Sequence, residues 1–520
     1  MKGRLLGAAG GALIVAATGS DAGASPALRA EDGRFVDASG RTVILRGVDV
    51  AGDSKVPPFR PAADPAVFDP LARLGMNVVR LLFTWEAFEP EKGSRDEGYL
   101  DYYASAARAA GERGLRVIVD IHQDGFSRAS IGGCGDGFPL WALPAGVTPD
   151  APDNGPACKS WGIAMQSDED MMTAWSAFHA DTEGVRTAYL DMLRAVSERL
   201  SSEPAVIGYD LLNEPWGDEA TEIGPLLADG AAAVREKSPD AIVFVSPHAR
   251  TSAGSQTALE RPTFANFAYS PHFYDASVIL FHSWSGVEPD APFQGMKDKA
   301  AEWGAPLFVG ELGAPAPTEN GAEYVASLYR HLDDSLASGA QWVYTPGWTE
   351  ERKDGWNDED FSIVDGSGAL RANHRPRPYP PAIGGAPVRF RVNDAAAPED
   401  RSVELVWDAE PYLVTEVFAP AAAFFESDSL VVEAEGQGLS CTAGGDRVWC
   451  VSSSAGERRI EILGRRPVEP PRCGLVGVEM IALLPLLELA RALRRSRGSG
   501  AGAPVAPRGS GAGMRSGDRA

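Results

Sequence analysis

Two glutamates stand at the ends of short apolar runs, where a carboxylate can be aimed into a cleft. Ala205 to Leu212 has the pattern of a buried strand that stops at Asn213-Glu214, and Pro215 prevents it from continuing as a central ladder. The same grammar recurs in Ala305-Pro306-Leu307-Phe308-Val309-Gly310, which ends at Glu311. A facing pair of carboxylates can hydrolyse a glycosidic bond in two ways, and in the retaining way the groups lie about 5 Å apart. One attacks the anomeric carbon. The other protonates the leaving oxygen and then activates water, which requires burial or a nearby negative charge to keep its proton on. Two carboxylates suffice for this chemistry, so no cofactor is expected.

Further polar residues fall at the same depth. Arg80 lies inside an otherwise apolar strand, where an unpaired guanidinium is costly, so a carboxylate partner is expected and Glu311 is the obvious one. His122 follows the run Val117 to Ile121, with Asp124 two residues on. Asn213 precedes Glu214, where its amide can bind a sugar hydroxyl; His272 and Tyr274 close a sixth strand, and Trp348 follows an eighth. A tyrosine hydroxyl orients a nucleophilic carboxylate, and an indole face offers a stacking platform for sugar. Taken singly, each has a structural reading: a hydrogen-bonding histidine, a core aromatic, an internal ion pair. Their recurrence at successive strand ends favours a site.

The elements that must position these residues alternate strand and helix. Strand patterns occur at Val43 to Val50, Asn77 to Phe83, Arg116 to Ile121, Ala205 to Leu212, Asp240 to Val245, Phe264 to Tyr269, Pro306 to Gly310 and Gln341 to Tyr344. Helical patterns cover Leu100 to Gly111, Val185 to Leu200, Ile223 to Lys237, Gly295 to Trp303 and Gly321 to Ser338. Eight such alternations predict an α/β fold of the (β/α)8 TIM-barrel class over residues 28–380, preceded by a hairpin around Asp37 to Gly40. An open doubly wound sheet is the alternative, but no Gly-rich phosphate turn follows the first strand. Arg375 to Pro381 reads as a linker, and the short alternating runs beyond it predict a small antiparallel β-sandwich over 386–465.

The composition is that of a globular chain: 520 residues, 44% hydrophobic and 23% charged. A net charge of -24 argues against nucleic acid as a partner. Lys2 and Arg4, an apolar run to Ala17 and Ala22-Gly23-Ala24 predict a signal peptide over residues 1–24, hence a secreted or envelope-attached bacterial protein. In an oxidising compartment, Cys134 with Cys158 and Cys441 with Cys450 can close local disulfides, free buried thiols being the alternative. With no C-x-x-C and no histidine at ligand spacing from a cysteine, no metal site is expected. Residues 466–520 form a tail in which Cys473-Gly474, an apolar run and an arginine cluster look like a bacterial sorting signal; an amphipathic helix is the alternative.

The set Arg80, His122, Asn213-Glu214-Pro215, His272-Phe273-Tyr274, Gly310-Glu311 and Trp348 resembles glycoside hydrolase family 5, a group of retaining (β/α)8 glycosidases. Within it, Ser54-Lys55, the run His122 to Ser127, Asp210 to Pro215 and Thr415 to Pro420 are similar to endoglycoceramidases, which release oligosaccharide from ceramide. The resemblance implies Glu214 as acid/base, Glu311 as nucleophile, and Lys55, Asp124, Asn213, Tyr274 and Trp348 as contacts to the first sugars. It implies a glycosphingolipid substrate and transient contact with a membrane or micelle by what is expected to be a monomer. A lipid substrate also demands apolar surface beside the sugar groove. Val278 to Phe281 with Trp284, and Phe138, Leu140, Trp141 and Trp161, are candidates, unless both loops simply pack on the barrel rim. Rival readings are a family member acting on β-glucan or another soluble β-glycoside, and a carbohydrate-binding protein that has lost catalysis.

Overall fold

The computed structural model describes residues 28–465. The expected signal peptide and tail, with Cys473, lie outside them. The eight predicted strand positions form one curled parallel sheet: Arg46–Val50, Val78–Phe83, Arg116–Ile121, Val206–Asp210, Ile242–Val245, Phe267–Tyr269 continued by His272–Phe273, Phe308–Leu312 and Ser338–Tyr344. A parallel bridge between Tyr269 and Leu307 closes the sheet on itself. Ser270 and Pro271 split the sixth position in two, since proline cannot donate to the ladder. The helices Glu97–Gly111, Val185–Leu200, Gly224–Arg235, Asp290–Trp303 and Gly321–Asp334 alternate with these strands. The strands read as near-continuous apolar runs because both faces are covered, with the helices outside and side-chain layers inside.

The antiparallel part takes strands from both ends of the described chain. One sheet runs Leu28–Glu31, Arg34–Asp37, Thr42–Val43, Tyr379–Ile383, Val414–Phe418, Arg447–Ser452 and Leu439–Gly444. A second holds Gly385–Asn393, Ser402–Ala409, Gly456–Gly464 and Leu430–Glu435. Phe390, Leu405, Trp407, Val417, Phe418 and Ile460 are buried together as their common core. The stretch that reads as a linker is therefore partly strand: Tyr379 pairs with Phe418 and Ala382 with Glu416, across an irregularity that accommodates Pro380 and Pro381. The N-terminal hairpin has a second task. Leu28 and Phe35 are buried with Val78, Ile118, Ile207, Ile242, Phe244 and Phe308, the innermost apolar residues near the N-terminal ends of the barrel strands.

Two disulfides are formed, Cys134–Cys158 and Cys441–Cys450, the latter between directly paired strand positions. Among the described residues no helix is long and apolar enough to cross a membrane.

At the same end of the barrel, the Asp333 carboxylate accepts from Arg46 Nη2 at 3.1 Å and from Arg377 Nε at 2.8 Å, all three side chains being largely buried. Removing one member of a buried ion pair leaves the other desolvated and uncompensated. Asp333→Ala is expected to destabilise the fold by about 3 kcal/mol, read as a lower urea midpoint with an unchanged slope.

Candidate active site

Arg80 is fully buried, and its guanidinium is the hub of the site. It donates through Nη1 to Asp49 (3.0 Å) and Glu311 (2.8 Å), and through Nη2 to Asp120 (2.8 Å), Asp210 (3.0 Å) and Asn213 Oδ1 (2.7 Å). The partners stand on four other barrel strands or their ends, and Asp49 lies directly opposite Arg80 in the sheet register. The expected Arg80–Glu311 pair is present. Asp49, Asp120 and Asp210 escaped sequence reasoning, although each carried the signal that exposed Arg80: one charge inside an apolar strand. Carboxylates crowded around one guanidinium oppose one another's ionisation. Burial first, then the charge of Glu311, hold Asp49 well above the usual carboxylate range against the pull of Arg80. Burial likewise raises Asp210 to about 6.

Glu214 follows the fourth strand in the left-handed region of backbone space, φ 40°, unusual for a residue with a side chain. The turn is held by Asn213 N–H donating to Ile121 O at 2.9 Å, and by Gln123 Nε2 donating to the Asn213 and Glu214 carbonyls at 2.7 and 3.0 Å. Asn213 Nδ2 donates to Gln123 O at 3.0 Å, so its amide braces the site from behind. The Glu214 carboxyl meets His272 Nδ1 at 3.0 Å, and the same nitrogen lies 3.5 Å from Glu311 Oε2. Glu214, His272 and Glu311 present one polar atom each within 4.8 Å of one another. Gly310 is required beside them: a Cβ there would lie 2.7 Å from His272 Nε2 and 2.9 Å from Ser270 Oγ.

Glu311 is buried and Glu214 largely so, yet their protonation is displaced in opposite directions. Burial lifts Glu214 above its ordinary value and the Glu311 charge adds to the lift, against the hydrogen bond from His272. Burial also pushes Glu311 up, but His272, Arg80 and His122 outweigh it and bring it below the ordinary value. Tyr274 donates to Glu311 Oε2 at 2.8 Å, so both oxygens of that carboxylate are engaged. His272 itself is held above its ordinary value by the two glutamates, in spite of burial.

Lys55 and Asp124 meet beside this pair. Lys55 Nζ donates to Asp124 Oδ2 at 2.5 Å, lies 3.6 Å from Asp136 Oδ2, and sits over the Trp356 and Trp342 rings at 3.8 and 4.6 Å. His122 bridges Asp120 (2.7 Å) and Asp124 (3.3 Å) and stacks on Trp342 at 5.6 Å. Burial opposes its charge, but Asp120 raises it to about 10. The donor atoms of His122, Asp124 and Asp136 also cluster within 4.8 Å, and the Lys55 ammonium supplies the positive charge such a set calls for. Trp348 is engaged differently, donating to Asp360 Oδ1 at 3.1 Å under the Arg371 guanidinium. The indole that meets both Lys55 and His122 is Trp342, inside the eighth strand. No periodicity distinguishes it from a core tryptophan.

A family model described as "Cellulase (glycosyl hydrolase family 5)" matches residues 36–347. The chain belongs to glycosyl hydrolase family 5. As a family 5 glycosyl hydrolase it is 31% identical over 269 residues to endoglycoceramidase I of Rhodococcus hoagii strain 103S, a match covering 48% of this chain and 52% of the relative. The chain thus spans about half the length of that relative. It is 24% identical over 401 residues to an endoglycoceramidase of Cyanea nozakii, covering 70% of this chain and 78% of the relative. Among solved structures, endo-glycoceramidase II from Rhodococcus sp. in complex with ganglioside GM3 superposes with TM-score 0.67 at 23% identity, over 83% of this chain and 99% of that one. An endogalactoceramidase gives TM-score 0.66 at 26% identity, over 85% and 100%.

Arg80→Met removes the only group among the described residues that faces Asp49, Asp120, Asp210 and Glu311 together. We expect more than about 3 kcal/mol of lost stability, because breaking a buried charge network leaves its partners uncompensated, measured by denaturant unfolding. An unchanged midpoint would contradict the hub assignment.

Proposed function

We propose that this family 5 glycosyl hydrolase cleaves the β-glycosidic bond between oligosaccharide and ceramide in glycosphingolipids, by a retaining double displacement. The observation that carries the mechanism is the Glu214–Glu311 pair, with carboxylate oxygens within 4.8 Å and opposite displacements of their protonation. That separation suits a glycosyl-enzyme route and leaves no room for the water an inverting pair must hold. The ionised Glu311, fixed by Arg80 and Tyr274, attacks the anomeric carbon while the bond to the ceramide oxygen breaks and Glu214 gives that oxygen its proton. Glu214 then takes a proton from water, which attacks the glycosyl ester, frees the glycan and restores both groups. Lys55, His122, Asp124 and Asn213 line or brace the sugar side, and His272 orients Glu214. Trp348 or, by its contacts, Trp342 supplies the stacking platform.

A lipid substrate is supported by the likeness to endoglycoceramidases and by apolar surface on two loops. In the loop after Tyr274, Asp275 caps the short helix Ala276–Phe281. Val278 is buried and Ile279 packs with Tyr274 against Trp342 and Phe361, but Leu280 and Phe281 are 54% and 75% exposed. Across the other loop Phe138 joins the core, whereas Leu140 and Ile163 stay exposed. Part of each loop therefore packs on the rim, and part offers apolar surface. Two disulfides fit export to an oxidising compartment, and the enzyme is proposed to act as a secreted or envelope-attached monomer touching membrane or micelle surfaces.

The deciding experiment is incubation with glucosyl-, galactosyl-, lactosyl- and ganglioside-type ceramides, with intact glycan and ceramide as expected products and Glu311→Gln as the inactive control. Release from soluble β-glucans only would reassign the substrate. Replacing Leu280 and Phe281 by serine is expected to spare a soluble aryl glycoside and to slow micellar glycolipid cleavage about tenfold or more, on the order of the burial of two apolar side chains. An equal loss on both substrates would contradict the lipid role.

The pH profile follows from the two shifts. Ionised Glu311 sets a limb on which activity falls as pH drops through a value below the ordinary glutamate range. Protonated Glu214 sets the other limb, lost as pH rises through a value above that range. Glu214→Gln should remove the alkaline limb of the first step and cost on the order of 10²–10⁴ in rate with a poor leaving group, but much less with an activated aryl one.

A further inference from the structure

Gln123 and Ile121 grip the chain up to Glu214, and a second set of contacts grips it just beyond. Both are needed, because a left-handed residue that carries a side chain persists only where its surroundings over-determine it. The Glu214 carboxyl has one hydrogen-bond partner among the described residues, His272, so its aim follows the backbone. Past Glu214, the Pro215 carbonyl accepts from Ala249 N–H at 3.0 Å, and the Trp216 carbonyl meets His179 Nε2 at 2.7 Å. Gly217, at φ 141°, lets the imidazole lie against the chain: a Cβ there would stand 2.6 Å from Nε2 and 2.8 Å from Glu222 Oε2. The Trp216 indole is buried, with His248 edge-on at 4.9 Å and Arg250 over it at 5.1 Å.

His179 is the last residue of the helix Glu169–His179, an addition to the strand–helix alternation between Arg116–Ile121 and Val185–Leu200. Trp175 and Phe178 of that helix are buried in the core, their rings 5.9 and 5.4 Å from the imidazole. The imidazole is therefore fixed from behind by packing and meets the turn with one nitrogen.

We propose that His179 is a positioning residue for Glu214, holding the acid/base turn in place through the Trp216 carbonyl. The inference rests on the glycoside-cleaving reading above and adds a residue that acts only through the backbone beside the acid. A carbonyl can only accept, so the His179 proton sits on Nε2, and Nδ1 has no partner among the described residues. Burial holds the imidazole below its ordinary value, against the Trp216 carbonyl and Glu222, with Arg186 adding to the lowering. The ring is thus uncharged at neutral pH, and losing it leaves a buried carbonyl unpaired.

The test uses the full chain and two soluble substrates, phenyl and dinitrophenyl β-lactoside. Phenoxide needs the proton from Glu214 to leave, whereas dinitrophenoxide leaves without one. The ratio of their kcat/KM values therefore reads proton delivery, and any loss of folded enzyme cancels in it. His179→Leu, which keeps an apolar side chain but no donor, is expected to lower the phenyl-to-dinitrophenyl ratio about tenfold or more, as a misplaced reacting group does. His179→Gln, which keeps an N–H donor, should recover most of it. In a Glu214→Gln background the leucine change should leave the ratio where Glu214→Gln alone puts it, because residues that act as a unit are not additive. A wild-type ratio in His179→Leu, a glutamine variant no better than the leucine one, or a full further drop in the double variant would each overturn the inference. No turnover of either lactoside by the wild type would instead overturn the glycoside-cleaving reading and this inference with it.

Discussion

A single guanidinium buried among carboxylates is the constraint on which the rest of the site depends. Arg80 reaches Glu311, the Asn213 amide and three aspartates from separate strands, so one side chain sets the spacing of most of the barrel's inner ring. Planar, multiply donating and permanently charged, arginine alone among side chains can serve five acceptors at once. The arrangement is expensive in desolvation, and packed hydrocarbon would be as stable or more so. What it provides is a fixed, preorganised field at the point where a carboxylate has to stay ionised.

That field explains why two neighbouring glutamates, both largely withdrawn from solvent, behave oppositely. Glu311 is held on both oxygens, by Arg80 and by Tyr274, and sees His272 and His122 as further positive charge. Glu214, one turn of backbone past the fourth strand, is linked to His272 and sees Glu311 as a negative neighbour. Burial raises both; the difference lies in which sign of charge stands next to each. His272, parallel to Glu311 in the sheet register, ties the two halves together.

Much of this could be read from the chain. The barrel was legible because a parallel sheet covered on both faces writes its strands as apolar runs, and the glutamates because they interrupt those runs at the end where barrels carry chemistry. Arg80 was legible because a charge inside an apolar strand demands a partner. Its aspartates were not sought by the same rule, and Asp136 and Trp356 sit in irregular loops where no period fixes which way a side chain faces. Trp342 and Trp348 differ by six residues and one turn, and only tertiary packing decides which of them meets Lys55. The Pro-rich stretch around Tyr379 was misread for a local reason: prolines suit an extended strand beside an irregular pairing as well as they suit a spacer.

The hairpin at Leu28 to Asp37 closes the chain into something like a ring. The strand beside it, Thr42–Val43, pairs with Ile383 and Ala382 more than three hundred positions later, and Thr42 Oγ1 donates to the Gly385 carbonyl at 2.8 Å, while Leu28 and Phe35 stopper one mouth of the barrel. Contacts of such sequence separation form late, because loop-closure entropy must be met before they contribute. The sheet that carries the stopper therefore gains its next strand, Tyr379–Ile383, only after all eight barrel strands have been made. The first strands made and one made after the barrel thus end up neighbours, so the chain's two ends are held together by a sheet that neither end can complete alone.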